Sequence, residues 1–398
     1  MFHRHRTHTA AALAAPDEAF FFDVGSLYEH LEQLTDRRDP RGVRYPLAIA
    51  LVFVILAKLA GEQEPRGIAQ WVELRKDLLK QALHFERDTT PAAITYSRIL
   101  GRAVEVAELQ QTVSRFLRSS PHLSHAVEIN LDGKALRGTI PAGQRQGVHL
   151  LAAYLPDAGV VLMQMEVASK ENEIVAAPRL LKSVDLRGKI ITGDAMFAQR
   201  ELSRQVVEAG GDYVWSVKEN QPALRSDIEA LFAIEAGETR LKAMTNDLRR
   251  AETIDKQHGR LEQRRITLSC LLAGQVDWPG LAQVFKIERE VEELTSGKKY
   301  SETVYGVSSL SAKQASAKRM LEIVRKHWMI ENGLHYRRDW TLREDYCRLR
   351  IGQAAHAMAV INNLVVGLAL RQGFKYLPDA RRKYSAQPLE GLKLILRR

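Results

Sequence analysis

The chain has 398 residues, enough for two or three domains and a sizeable core. Lys and Arg number 58 against 48 Asp and Glu, a formal net charge of +10 that suits a polyanion such as nucleic acid or an acidic membrane surface. Cys270 and Cys347 are the only cysteines, which excludes a disulfide framework or a four-cysteine zinc site and makes a reducing cytoplasm the default.

Residues 1–19 read as a disordered terminus; His3, His5 and His8 there could bind a metal, but a solvated end explains them as well. Residues 20–118 read as an all-α domain. An amphipathic helix is expected over Phe20–Leu34. A buried helix follows over Leu47–Leu59, too short for a membrane span and interrupted by Lys58. A third runs over Ile68–Phe85 with Trp71, Leu74, Leu78 and Leu79 on one stripe. The Pro-bearing turn at Asp88–Pro91 and the basic helix after it fit a helix-turn-helix DNA reader, and any small helical bundle fits equally.

From Val127 the texture changes. Val127, Ile129 and Leu131 alternate with Glu128, Asn130 and Asp132, a period of two that marks a strand with one apolar face. Asp132 ends that strand, with Gly133, Lys134 and Arg137 beyond it. A carboxylate followed by cations fits a metal and phosphate site; Asp-Gly opening a hairpin fits too. Gly147–Leu155 and Gly159–Ala168 form a hairpin, so three antiparallel strands come in succession. A helix over Glu171–Val184, a strand over Lys189–Phe197 containing Asp194, a helix over Glu201–Ala209 and a strand over Asp212–Val217 follow.

That order is the order of a ribonuclease H-like α/β fold: a mixed sheet flanked by helices. In it the first and fourth strands are neighbours, so Asp132 and Asp194 would meet. Two such carboxylates repel unless a cation or a proton lies between them. The catalytic domain is expected over 125–370, with a β-rich insertion at about 240–310. A long helix over Ala312–Arg338 and an apolar helix over Ala354–Leu370, interrupted by Asn362 and Asn363, complete it. Residues 371–398 read as a basic tail, with eight Lys or Arg against Asp379 and Glu390.

A third acid would come from Glu322, Glu331, Glu344 or Asp345. Glu331 shares a helical stripe with Val324, Trp328, Leu334 and His335, an apolar setting in which a carboxylate needs a partner. His327 and His335 lie four residues to either side, and Arg338 one turn further. Arg325, Tyr336 and Trp340 add cations and aromatics that could meet phosphates and bases; Trp328 reads as core. Lys218, Asn220 and Gln221 leave a strand end with donors for a phosphate, or simply form a loop. Arg260 and Arg264 alternate with Glu262, as a DNA groove or a cross-strand ion ladder would require. Trp215 could stack on a flipped base, though a buried strand Trp is the simpler reading. No Walker-type loop, H-E-x-x-H, G-x-S-x-G or G-x-G-x-x-G occurs, which removes the commonest nucleotide-hydrolysing, zinc-protease and hydrolase readings.

The stretches L-D-G-K-A-L-R-G-T at 131–139, K-E-N-E-I at 170–174, T-G-D-A-M-F-A-Q at 192–199, W-S-V-K-E-N-Q-P-A-L at 215–224 and H-W-M-I-E-N-G-L-H at 327–335 stand in one consistent order. With them the chain resembles the DDE transposases of bacterial insertion sequences, in particular the H-repeat-associated group. The resemblance implies a catalytic and metal-binding triad of Asp132, Asp194 and Glu331. It implies two Mg²⁺ ions, with Mn²⁺ able to substitute. It also implies double-stranded DNA as partner, both terminal repeats and target, a homodimer on that DNA, and no membrane. Lys134, Arg137, Lys218, Asn220, Gln221, Arg260, Arg264, Arg325, His327, His335 and Arg338 are the candidate DNA contacts. Related enzymes carry Tyr, Arg and Lys at set offsets around the Glu, where this chain has Val324, His327 and Arg338. Two rivals keep the fold: a nuclease that cuts without joining, and a non-catalytic DNA-binding protein derived from a transposase.

Overall fold

A computed structural model describes residues 13–15, 18–20, 25–118, 127–140, 143, 147–168, 171–233, 247–257, 259–328 and 330–397, with only the backbone of 13–15, 18–20, Glu331 and Asn332. Most of the 1–19 stretch therefore lies outside the described residues. The exception is a short antiparallel pair, β1 (Leu13–Ala15) with β2 (Glu18–Phe20).

The front of the chain is helical. It comprises α1 (Leu27–Glu32), α2 (Leu47–Leu59), α3 (Pro65–Glu73), α4 (Lys76–Leu83), α5 (Ala93–Arg98) and α6 (Val106–Arg118). The expected Phe20–Leu34 helix is shorter. Gly25 turns with φ 83°, and Ser26 caps α1 by accepting from the Glu29 N–H. The expected Ile68–Phe85 helix is two helices. The chain breaks at Arg75, and Leu74, expected on the buried stripe, stands 81% exposed at the corner. Helix α5 has only six residues before a π-helical turn over Ile99–Ala103.

Nine strands form one mixed sheet. In space they run β5 (Val160–Val167), β4 (His149–Leu155), β3 (Glu128–Ala135), β6 (Ile190–Gly193), β7 (Asp212–Val217), β11 (Lys299–Ser308), β10 (Gln283–Glu293), β9 (Arg260–Ser269) and β8 (Arg249–Gln257). Strands β3, β4 and β5 are antiparallel, whereas β6 and β7 continue parallel to β3. This is the ribonuclease H-like order expected, with the first and fourth strands of the domain side by side. The β-rich insertion is not a separate block, because β11 pairs antiparallel with β7 and carries the sheet outward. Strand β8 escapes a hydrophobicity reading: it is an edge strand, R-R-A-E-T-I-D-K-Q, with no fully buried position.

Helices α7 (Glu173–Lys182), α8 (Arg200–Glu208) and α9 (Pro222–Ala233) pack into the main core. Helix α10 (Ala317–His327) covers the opposite sheet face, where Met320, Leu321 and Ile323 meet Val214, Ile266 and Phe285. Helix α11 (Ala354–Arg371) is long and apolar enough to cross a membrane, yet 89% of it is buried inside the protein. All thirteen residues of α2 are buried as well. The stretch after residue 371 is folded: α12 (Leu377–Ala386) and α13 (Pro388–Leu396) bury Leu377, Tyr384, Leu392 and Ile395 in the same core as α2.

The expected Ala312–Arg338 helix is interrupted. Ser316 caps α10 by accepting from the Arg319 N–H, and the helix ends at His327. The chain then winds as two π-helical segments, Glu331–His335 and Arg337–Thr341. Such widened turns shift the residues off a regular stripe. Trp328, expected in the core, is 51% exposed, while Ile330 and Leu334 are buried against Tyr154 and Val161.

Candidate active site

The parallel pairing of β3 with β6 sets the site. Asn130 stands opposite Thr192, and Leu131 opposite Gly193. The next residue after each pair is an aspartate, so Asp132 and Asp194 follow in register although 62 residues separate them. Asp132, expected to end its strand, lies inside β3, which runs on to Ala135, whereas Asp194 follows the last residue of β6. Glycine at 193 is needed there: a Cβ would come within 2.7 Å of the Phe197 ring and 3.0 Å of Trp215. Trp215 is fully buried and donates its indole N–H to Ser203 at 3.1 Å, so it has no surface to offer a base.

On β3, Glu128, Asn130, Asp132 and Lys134 alternate onto the face covered by α10 and the π-helical segments. Glu128 is buried and paired with Arg319 and, at 3.1 Å, with Lys326. Asn130 donates its amide N–H groups to the carbonyls of Lys326, 2.8 Å, and His327, 3.2 Å. These contacts lash the end of α10 to the strand that carries Asp132.

Each aspartate meets one histidine. His335 Nε2 lies 2.8 Å from Asp132 Oδ2, and Asp132 Oδ1 accepts the Gly133 N–H at 2.9 Å. His327 Nε2 lies 3.2 Å from Asp194 Oδ1, and its Nδ1 lies 3.1 Å from Thr192 Oγ1. Contact with His327 holds the Asp194 carboxyl below its ordinary range against the opposing effect of burial, and Lys218 nearby adds to it. Thr192 and Asn130 carry no charge, so a search for titratable residues passes over them. Their signal was spacing: each lies two residues before an aspartate, on the same strand face.

The other candidates divide sharply. Arg338 is fully buried, donating to Glu344 at 2.6 Å and to Gln164 at 3.3 Å, so it faces the core and not a ligand. Burial would raise the Glu344 carboxyl; the Arg338 charge and the Asn362 amide, 2.8 Å away, hold it down instead. Asn363 donates to Gln164 at 2.8 Å, which accounts for both asparagines in apolar α11. Lys134 is buried against Asp339, with Asp345 at 3.7 Å. Arg137 is 80% exposed, 3.8 Å from Asp345. Asn220 and Gln221 donate to the carbonyls of Ala195, 2.6 Å, and Ala198, 2.9 Å, and so brace the turn after Asp194. Lys218 is exposed.

Arg264 binds Glu262 at 2.6 Å and Asp255 at 3.1 Å, and Arg325 reaches the same Asp255 at 2.7 Å. Glu262 also pairs with Arg289 on the next strand, and Arg260 lies 3.7 Å from Glu293. These arginines form a cross-strand ion ladder that ties the insertion to α10. Of the alternative acids, Glu344 and Asp345 serve Arg338 and Lys134, and Glu322 lies 3.7 Å from Arg319. The surface beside the site is aromatic: Tyr336 and Trp340 are 56% and 75% exposed and stack at 12° with centroids 6.4 Å apart.

The donor set suits hard divalent cations: two carboxylates on adjacent strands, one of them widely open to solvent. The side chain of Glu331 lies outside the described residues. Among those described, no group of three His, Cys, Asp or Glu side chains is close enough to hold an ion.

The transposase DDE domain model matches residues 125–368, and the DDE_Tnp_1-associated model matches residues 28–117. The Escherichia coli K12 protein YbfL is 29% identical over 355 residues, covering 87% of this chain and 90% of its own. The "H repeat-associated putative transposase YhhI" of the same organism is 29% identical over 355 residues with the same coverage. Among solved structures, the piggyBac transposase synaptic complex with hairpin DNA aligns with a TM-score of 0.42 and 11% identity, over 90% of this chain and 76% of that one. At that distance the likeness bears no residue-by-residue correspondence.

Proposed function

Because the chain belongs to the transposase DDE domain family, an enzyme class that acts on DNA with divalent metal ions, we propose that it cuts and joins DNA at the ends of a mobile element with Asp132, Asp194 and Glu331 as its metal-binding triad. One observation carries the reading: the parallel register of β3 with β6 brings two aspartates to matching positions of neighbouring strands, a pair of hard oxygen donors that suits a divalent cation. Two Mg²⁺ ions, which Mn²⁺ can replace, would supply Lewis acidity for the attacking and leaving oxygens.

The protein's own groups do the rest. Asp132 is held by His335 and the Gly133 N–H, so its carboxylate is oriented in advance. Asp194 stands open on a turn braced by Asn220 and Gln221, where a phosphodiester can approach. Lys218 and Arg137 are exposed near the two aspartates, where they can meet backbone phosphates, Arg137 across a loose 3.8 Å contact with Asp345. Tyr336 and Trp340 offer a flat aromatic face to an unpaired base. Affinity from phosphate contacts should fall steeply with salt. A homodimer would hold the two element ends together, in the cytoplasm where the DNA is.

A strand-transfer assay with pre-cut ends tests this. Joined product that depends on Asp132 is expected; cleavage without joining would make the protein a nuclease. Full cellular activity of Asp132→Ala would make it a DNA-binding protein with no chemistry.

A further inference from the structure

We infer that the folded end of the chain is a second DNA contact: a cavity between α6, α11, α12 and α13, rimmed by Arg371, Lys383, Lys393 and Arg397, receives backbone phosphates of the duplex bound at the aspartates. The inference rests on DNA being the partner, as proposed above. It assigns a surface beyond residue 368, where the match to the transposase DDE domain ends.

Residues 371–397 hold seven Lys or Arg against two acids, Asp379 and Glu390. Both acids are taken: Asp379 pairs with Arg382, and Glu390 with Lys393 at 2.8 Å. Three of the other cations lie over rings. Arg371 stands 5.6 Å from the Phe116 ring and Lys375 5.3 Å from Tyr376. Lys383 stands 5.7 Å from Phe374 and 5.8 Å from Tyr384. Among the described residues neither acid makes an ion pair with any of the three. An aromatic face holds a cation in place without neutralising it. The insertion is the opposite case, since Arg264, Arg289 and Arg325 all meet carboxylates.

The cavity measures about 230 Å³, with Phe116 and Tyr384 as its aromatic wall. That is below the roughly 300–1,000 Å³ of a site that encloses a small molecule. A phosphate projecting from a backbone needs less room. Arg371, Lys383 and Arg397 are exposed, so the charge is presented at the surface.

Arg337 donates to the Lys375 carbonyl at 3.3 Å, and Arg381 donates to the Thr341 carbonyl at 2.7 Å. These bonds tie the basic end to the π-helical segment that carries Trp340 and follows His335 and Tyr336. Aspartates, aromatic pair and basic cavity therefore stand in one connected succession. That connection favours DNA over an acidic membrane surface, which the charge alone would also suit.

The test titrates the full chain, without metal, against a fluorescent duplex of random sequence over a range of salt. Each phosphate contact adds about 0.9 to the slope of log affinity against log salt. Arg371→Gln combined with Lys383→Gln should lower that slope by about 2 and weaken binding roughly tenfold. Glu390→Gln removes an opposing charge and should tighten binding, which a misfolded variant would not do. Arg179→Gln combined with Arg187→Gln, on and just after α7, removes the same charge elsewhere and should change neither slope nor affinity. Equal weakening by that control pair would mean net charge alone and overturn the inference. So would an unchanged slope in Arg371→Gln, Lys383→Gln, with the DNA reading left standing. Loss of binding to phosphatidylglycerol vesicles in that variant, with duplex binding intact, would also overturn it. A wild-type chain that binds no duplex would sink the DNA reading and the inference together.

Discussion

The two aspartates take matching register positions on neighbouring strands and live in opposite surroundings. Asp132 is 18% exposed and Asp194 64% exposed. The cause is what each strand does next. Strand β3 continues to Ala135, so Asp132 stays within the sheet under His335. Strand β6 stops at Gly193 and the chain folds into a 3₁₀ turn, so Asp194 projects from an end. Behind Asp132 lies a layer of buried charge: Lys134 with Asp339 and Asp345, and Arg338 with Glu344. Behind Asp194 lies a neutral relay of Asn130 and Thr192. One half is held by ion pairs that are costly to break, the other by hydrogen bonds whose worth is direction.

The largest effect should come from the carboxylates themselves. Asp132→Asn and Asp194→Asn should each lower strand transfer by roughly 10³-fold, the several kcal/mol a metal ligand contributes to the transition state. Unequal losses, read from product yields on pre-cut ends, would show that the halves are not equivalent partners. Next, Arg338→Met should destabilise the fold by about 3–5 kcal/mol, because Glu344 is left charged and buried. Urea unfolding measures it, and a loss under 1 kcal/mol would mean that water reaches the pair.

A pH effect sharpens the same contrast. Burial pushes the Lys58 ammonium, close to Glu344, down to about 8 from its ordinary 10.5. The folded state then binds fewer protons than the unfolded one. Its contribution to stability is fully present above 10.5, and it is lost as pH falls through about 8. Between those values the slope amounts to on the order of 3 kcal/mol. Lys58→Met should flatten it in denaturation curves taken from pH 7 to 10.5, whereas a substitution in the neutral relay should not. The smallest effect belongs to that relay: Thr192→Val should cost about 1 kcal/mol of stability, one hydrogen bond's net worth. A cost as large as that of Arg338→Met would erase the distinction between the halves.

Alternation of apolar and polar residues was enough to find β3, a short apolar run was enough to find β6, and the order of the elements along the chain was enough to set the two strands and their acids side by side. Apolar composition was enough to find α2 and α11, where it alone demands burial. Composition could not foresee that α10 would stop at His327 and continue as π-helix. Hydrogen-bond shifts of one residue leave no trace in hydrophobic period. Nor could it separate Arg338, which is sealed inside, from Arg137, which is open to solvent. Charge is written in the sequence; whether a charge meets water, a carboxylate or a ligand depends on which distant segments close over it. For this protein, local pattern determined the strands and their acids, and only the packing of residues 317–345 against β3 decided which nitrogen faces which carboxylate.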